Sequence, residues 1–197
     1  MKVLNLYAGI GGNRRLWPDH FEVTAVEYNE DIAKIYADLY PLDTLIIGDA
    51  HEYLRENYMN FDFIWSSPPC QSHSSFRQNM CVRYKGTPPV YADMQLYQQI
   101  IFLKYNFKGL WVIENVRPYY EYLIEPTAFL QRHPFWANFE IAARDFPKDN
   151  IRAAQIPDLQ KLHGVDLSSY KISNKRQVLR NCVLSELGEH VINCCIQ

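Results

Sequence analysis

An α/β fold with a mostly parallel, doubly wound sheet flanked by helices is predicted by two features of the sequence. Short apolar runs alternate with stretches of helical period, and the runs end in glycine, acidic or proline-rich turns. Residues 3–7 read as the first strand, broken by Ala8-Gly9-Ile10-Gly11-Gly12 before residues 13–17 begin a helical turn. Glycine lets a backbone turn tightly and approach a ligand, so strand, glycine loop and helix together have the form of a cofactor cradle. A tight structural turn is the other reading, because the loop has neither the spacing of a dinucleotide fingerprint nor the Lys-Ser/Thr ending of a phosphate loop.

Residues 21–26 read as a second strand ending in Glu27. Nucleotide-binding α/β folds set a carboxylate for ribose hydroxyls about twenty residues after the first strand, and the glycine loop before Glu27 favours that role over a solvated strand end. Over residues 31–39, Ile32, Ile35, Tyr36 and Leu39 share one helical face, and Pro41 stops the helix. Residues 44–47 form a third strand. Asp49 follows it, either as a second acid at the same sheet edge or as the N-cap of a helix over 50–57.

Residues 61–65 form a fourth strand that runs into Ser66-Ser67-Pro68-Pro69-Cys70-Gln71-Ser72. Two successive prolines fix φ and cannot continue a strand, so the chain turns and presents Cys70 on a stiff loop. That loop lies beyond the C-terminal end of a parallel strand, where open α/β sheets bind ligands. A buried structural cysteine is the alternative. Residues 71–91 then read as a long polar loop with Arg77, Arg83 and Lys85 and no acid before residue 92, a charge suited to a phosphate backbone. A helix over 94–105 leads to a fifth strand over 110–113, which ends in Glu114-Asn115-Val116 at the same edge as Cys70. Tyr119-Tyr120-Glu121-Tyr122 serves either as a stacking surface or as interior packing. Residues 135–141 alternate as a half-buried strand, residues 142–173 carry no clear assignment, and helical period returns over 175–195.

With 197 residues, 48% hydrophobic and 21% charged, the chain has the composition of one domain with a substantial core. A net charge of -2 advertises no nucleic-acid partner in bulk, although a local basic face is compatible with it. The five cysteines show no zinc spacing and read as reduced thiols. With no signal peptide and no membrane-length apolar run, a cytoplasmic protein is expected.

Taken together, these residues resemble the cytosine-C5 DNA methyltransferases, which use S-adenosylmethionine (SAM) on a Rossmann-like fold. Leu6-Tyr7-Ala8-Gly9-Ile10-Gly11-Gly12 is similar to the family's SAM loop, and Glu27 and Asp49 match the acids after its second and third strands. Pro68-Pro69-Cys70-Gln71-Ser72 resembles the nucleophile motif, Glu114-Asn115-Val116 the Glu-Asn-Val motif, and Arg180-Asn181-Cys182-Val183 the closing element that returns to the SAM pocket. The resemblance covers residues 1 to about 116 and again from about 175 onward. It implies Cys70, Glu114, Asn115 and Arg132 as catalytic residues. For SAM it implies Tyr7, Ala8, Gly9, Gly11, Gly12, Glu27, Tyr28, Asp49, Ala50, Pro68, Asn181 and Val183. The implied reaction is methyl transfer to C5 of cytosine in double-stranded DNA, through a covalent Cys70–C6 intermediate on a flipped-out base.

The chain departs from the family in three places. Gln131-Arg132-His133-Pro134 stands where a Gln-x-Arg-x-Arg strand is usual, with Arg132 taken as its arginine, and Arg180 replaces a glycine before Asn181. Residues 142–174 stand where a sizeable target-recognition domain is usual, leaving 1–197 as a single methyltransferase domain closed by a C-terminal helix over 175–197. The brevity implies slight specificity, or specificity from a partner or second protomer, as in a phage, mobile-element or restriction-modification enzyme. The same motifs also suit an RNA (tRNA) cytosine methyltransferase, and the third reading is a catalytically idle SAM- or nucleic-acid-binding relative.

Overall fold

Seven strands make one sheet: Lys2–Leu6 (β1), Glu22–Glu27 (β2), Thr44–Ile47 (β3), Phe63–Ser66 (β4), Leu110–Glu114 (β5), Ala128–Leu130 (β6) and His133–Ala137 (β7), in the order β3-β2-β1-β4-β5-β7-β6. The computed structural model describes residues 1–146 and 153–196. β1 to β5 are parallel, and β7 runs antiparallel to both β5 and β6. The order moves outward from β1 in both directions. Such a reversal of winding leaves a crevice at the carboxyl ends of β1 and β4, where the glycine loop and the Pro-Pro-Cys turn emerge.

Alternation along each strand sends neighbouring residues to opposite faces, and both faces are apolar. Val3, Phe63, Trp65 and Val112 pack on one side with Leu187, Val191 and Ile192 of the helix Ser185–Cys195. Leu4, Leu6, Ile64, Trp111 and Ile113 pack on the other with Leu54, Leu96, Ile100 and Leu103, from the helices Ala50–Asn57 and Gln95–Asn106. In chain order the helices are Glu30–Leu39 (α1), Ala50–Asn57 (α2), Gln95–Asn106 (α3), Ile156–His163 (α4), Lys175–Asn181 (α5) and Ser185–Cys195 (α6). Helices on both faces of a largely parallel sheet make the fold the doubly wound α/β type. Among the described residues, no helix is long and apolar enough to cross a membrane.

Four expectations change. The helical turn expected over 13–17 is a run of tight turns, with Arg14 N and Arg15 N bonded to the carbonyls of Gly11 and Gly12. Its side chains are committed sideways, Asn13 to Asn5 at 2.8 Å and Arg14 to the Asp43 carboxylate at 3.0 Å, and Pro18 blocks continuation. Within the polar stretch 71–91, Arg77–Arg83 is a π-helix, started by the Ser74 hydroxyl accepting from Arg77 N. No Gly or Pro interrupts that stretch before Gly86, so nothing in its residues prevents a helix.

The strand expected over 135–141 begins earlier, at His133, and pairs with β6 across a two-residue turn at Gln131 and Arg132. Pro134 in that strand uses its carbonyl, which accepts from Asn115 N at 3.2 Å. Finally, the C-terminal helix over 175–197 is two helices, α5 and α6, separated by Cys182-Val183-Leu184. The break lies against the glycine loop: a Cβ on Gly12 would fall 2.2 Å from Cys182 Sγ and 2.4 Å from the Val183 carbonyl oxygen. Within 142–174, α4 ends on Gly164 in the left-handed conformation, while residues 147–152, Pro147 among them, and Gln197 lie outside the described residues.

Candidate active site

Cys70 is held by bonds on both sides of its turn. Asn115 Nδ2 donates to the Pro68 carbonyl at 3.0 Å, and beyond the thiol the Cys70 carbonyl accepts from His73 N at 3.1 Å and Ser74 N at 3.0 Å. Asn115 is 1% exposed, and its Oδ1 accepts from Val116 N at 2.9 Å. The asparagine therefore links the end of β5 to the nucleophile turn, which is a positioning task. Deeper in, Ser66 Oγ donates to Gln99 Oε1 at 2.7 Å, fixing the end of β4 to α3.

Glu114 ends β5 with its side chain buried, and His133 Nδ1 bonds its Oε1. Arg132 Nε donates to His133 Nε2 at 3.1 Å. The tautomer that satisfies both bonds carries its ring proton on Nδ1, where it donates to the carboxylate, and accepts at Nε2. Among the described residues, Glu114 Oε2 has no hydrogen-bond partner. Burial pushes the Cys70 thiol up to about 11, the Glu114 carboxylate adds to the rise, and the Arg132 guanidinium opposes it. Cys70, Glu114 and Arg132 thus lie near enough for the charges of the latter two to act on the thiol. His133 is the member the sequence reading passed over, since a histidine beside a proline in an apparent departure from a motif carries no signal of its own.

At the neighbouring strand ends, Glu27 is tied at both oxygens: Gly9 N donates to Oε2 and Asn29 N to Oε1, each at 2.9 Å. Tyr7 and Gly9 both adopt positive φ, and Gly9 faces open space. Ala8 is buried, and Gly11 N returns to its carbonyl at 2.9 Å, closing the loop. Asp49 caps α2, its Oδ1 accepting from His51 N at 2.7 Å and Glu52 N at 3.0 Å, while among the described residues Oδ2 takes no partner. Ala50 is buried beneath it and Tyr28 is 78% exposed. An open glycine, a loop-fixed carboxylate and a carboxylate oxygen without a described partner lie on one sheet edge, where they could hold a ligand that presents hydroxyl and amine donors.

Asn181 is exposed at the end of α5 and accepts from Gln177 Nε2 at 2.8 Å, whereas Val183 reaches the loop through its backbone against Gly12. A hydrogen-bonded group absent from the sequence reading supports the loop from below: Gln99, fully buried, donates from Nε2 to Tyr7 Oη at 2.6 Å. The tyrosine cluster takes both of its expected roles. Tyr120 meets His73 Nδ1, and Tyr120 and Tyr122 both pack on the core and line an open cleft with Arg117 and Phe129. Ser75 N bonds the Arg117 carbonyl and Tyr119 N the His73 carbonyl, so the cleft is fastened to the chain just after Cys70.

Solved structures similar to this chain include a protein described as a DNA modification methyltransferase encoded within a prophage of E. coli (21% identity, TM-score 0.39, covering 61% of this chain and 33% of that one). A mutant of DNMT2 from Spodoptera frugiperda matches at 25% identity and TM-score 0.40, over 58% of this chain and 35% of that one. The Entamoeba histolytica methyltransferase EhMeth matches at 20% identity and TM-score 0.37, over 59% and 38%. The chain thus spans less than two fifths of the length of these three structures. No curated protein matches it by sequence. The family model for C-5 cytosine-specific DNA methylase matches residues 1–118, a stretch that runs from β1 through the glycine loop, Glu27, Asp49 and Cys70 to Asn115. On that match over more than half of its length, the chain belongs to the C-5 cytosine-specific DNA methylase family.

Proposed function

We propose that this protein transfers a methyl group from SAM to C5 of cytosine in DNA, through a covalent bond between Cys70 and C6 of a base turned out of the duplex. The observation that carries the reading is the convergence of a thiol on a rigid proline turn with a carboxylate that keeps one oxygen unpaired. Cytosine C5 is a weak nucleophile, and a thiolate adding at C6 drives electron density into the ring. As the S–C6 bond forms, N3 takes up a proton from solvent where negative charge builds, and Glu114 Oε2 accepts from the N3–H and the exocyclic amine. The Cys70 thiol releases its proton to solvent before attack, and Arg132 favours that step by its positive charge. SAM supplies an electrophilic methyl group. Loss of the C5 proton and of the N3 proton to solvent, with cleavage of the S–C6 bond, then restores the aromatic ring and the thiolate.

Tyr7 to Gly12, Glu27 and Asp49 are the groups that would hold the donor, Glu27 toward ribose hydroxyls and Asp49 Oδ2 toward the adenine amine. Arg77, Arg83 and Lys85 after the nucleophile turn, together with the Arg117 cleft, suit a phosphate backbone and an unstacked base. Sequence specificity would come from residues 142–174, from a second protomer or from a separate partner.

The test is covalent trapping. The protein is incubated with SAM and duplex DNA carrying 5-fluorocytosine in varied contexts, and a denaturant-stable adduct is mapped by mass spectrometry. An adduct at Cys70 is expected, because fluorine cannot leave as a proton does. An adduct on matching RNA and none on DNA moves the substrate to RNA. With neither, and SAM still bound, the protein is an idle relative.

A further inference from the structure

The inference here rests on the reading above and assigns a task to a residue outside the matched stretch. His133 joins β7 to the end of β5: its Nδ1–H occupies Glu114 Oε1, and its Nε2 accepts from Arg132 Nε. A carboxylate alone can rotate about its last torsion and offer either oxygen. Here one oxygen is taken, so the other has a set direction. We infer that His133 is the positioning residue that fixes Glu114, spending one carboxylate oxygen on its own Nδ1–H so that Oε2 alone is presented to the substrate base.

The polarity of this chain of bonds matters. Arg132 can only donate and the Glu114 carboxylate can only accept, so the residue between them must accept at one end and donate at the other. A neutral imidazole with Nδ1–H does both. A glutamine does so too, through Oε1 and Nε2. An imidazolium does not: its Nε2 becomes a donor facing the Arg132 guanidinium, and the Arg132 bond is lost. The charged and titratable groups facing the ring are Glu114 on β5 and Arg132 in the β6–β7 turn, with Cys70 facing both from the nucleophile turn. Acid therefore acts on this link by breaking one of its two bonds.

The experiment pairs a readout free of substrate with one that needs it. Long-range 1H–15N spectra of histidine-labelled protein, with the His133 signals identified by their loss in His133→Gln, should show the neutral Nδ1–H tautomer, and Arg132→Ala should perturb it. A dominant Nε2–H tautomer overturns the inference whatever the enzyme does. The rate of adduct formation on 5-fluorocytosine DNA is then measured against pH for wild type, His133→Gln and His133→Leu. Loss of a hydrogen bond to a charged group predicts a fall of about tenfold or more in His133→Leu. His133→Gln should stay near the wild-type rate and lack the wild type's histidine-dependent acid limb, an outcome that a merely space-filling histidine would not give. Equal rates in His133→Leu and wild type, or the same acid limb in His133→Gln, overturn the inference. Should His133→Leu fail to fold, the tautomer and the His133→Gln profile still decide. Absence of any adduct in the wild type instead removes the proposed function, while the tautomer continues to judge the His133–Glu114 link.

Discussion

Asn115 Nδ2 and the Pro68 carbonyl lie 3.0 Å apart, so the strand that carries Glu114 also holds the turn that carries Cys70. Both groups are buried, and a carbonyl left without its donor in such a place costs about 1–3 kcal/mol. Asn115→Ala should therefore lower stability in urea by about that amount. It should also slow Cys70 adduct formation while leaving SAM affinity, read by calorimetry, unchanged. A variant that traps cytosine at the wild-type rate would show that the bond is structural only.

Because burial, and after it Glu114, raises the Cys70 pKa to about 11, the free protein holds the protonated thiol at neutral pH. Alkylation by iodoacetamide, followed at the Cys70 peptide by mass spectrometry, should be slow at pH 7 and climb toward pH 11. Glu114→Gln removes one of the two raising causes and should move that climb to lower pH. Cys70→Ala should abolish turnover and keep SAM binding.

Gly12 is a position of close approach. Adding a methyl group there drives it into Cys182 Sγ and the Val183 backbone, an overpacking of about 1–3 kcal/mol. Gly12→Ala should lower the melting temperature, and Cys182→Ala should rescue it in part only, since the Val183 carbonyl remains. Gly9→Ala meets no neighbour but must adopt φ +56, so its cost of about 1–2 kcal/mol is backbone strain.

Asp49 has a capping oxygen and a free one, which a pair of substitutions separates. Asp49→Asn keeps the cap and should retain stability, whereas Asp49→Ala should lose about 1 kcal/mol in thermal or urea denaturation. Both should weaken SAM binding if Oδ2 receives the adenine amine. Unchanged affinity in Asp49→Asn would reduce Asp49 to a helix cap.

The strands and helices on either side of Cys70 were legible because each carries a local signal. Phe63 to Trp65 and Trp111 to Ile113 are short apolar runs, α1 has one apolar face stopped by Pro41, α2 follows the acid Asp49, and the prolines at 68 and 69 can only turn. β6 was not legible, since three residues at a sheet edge give no periodicity to read. The 13–17 turns and the Cys182 break were hidden for another reason. Both depend on groups remote in sequence, Asp43 for Arg14 and Gly12 for Val183.

By itself the sequence determined the doubly wound α/β class and the strand edge on which Cys70, Glu114, Glu27 and Asp49 gather, because each rests on residue types at local spacing, and it showed the family through the resemblance of its motifs, taken in order, to those of known members. Tertiary structure alone decided the rest. That Asn115 faces Pro68, that Gln99 reaches Tyr7, and that His133 stands between Arg132 and Glu114 follow from the sheet order bringing β5, β7 and α3 around the nucleophile turn. Directional hydrogen bonds form only where donor and acceptor meet within about 3 Å, and residues far apart in the chain meet there only after the fold is made.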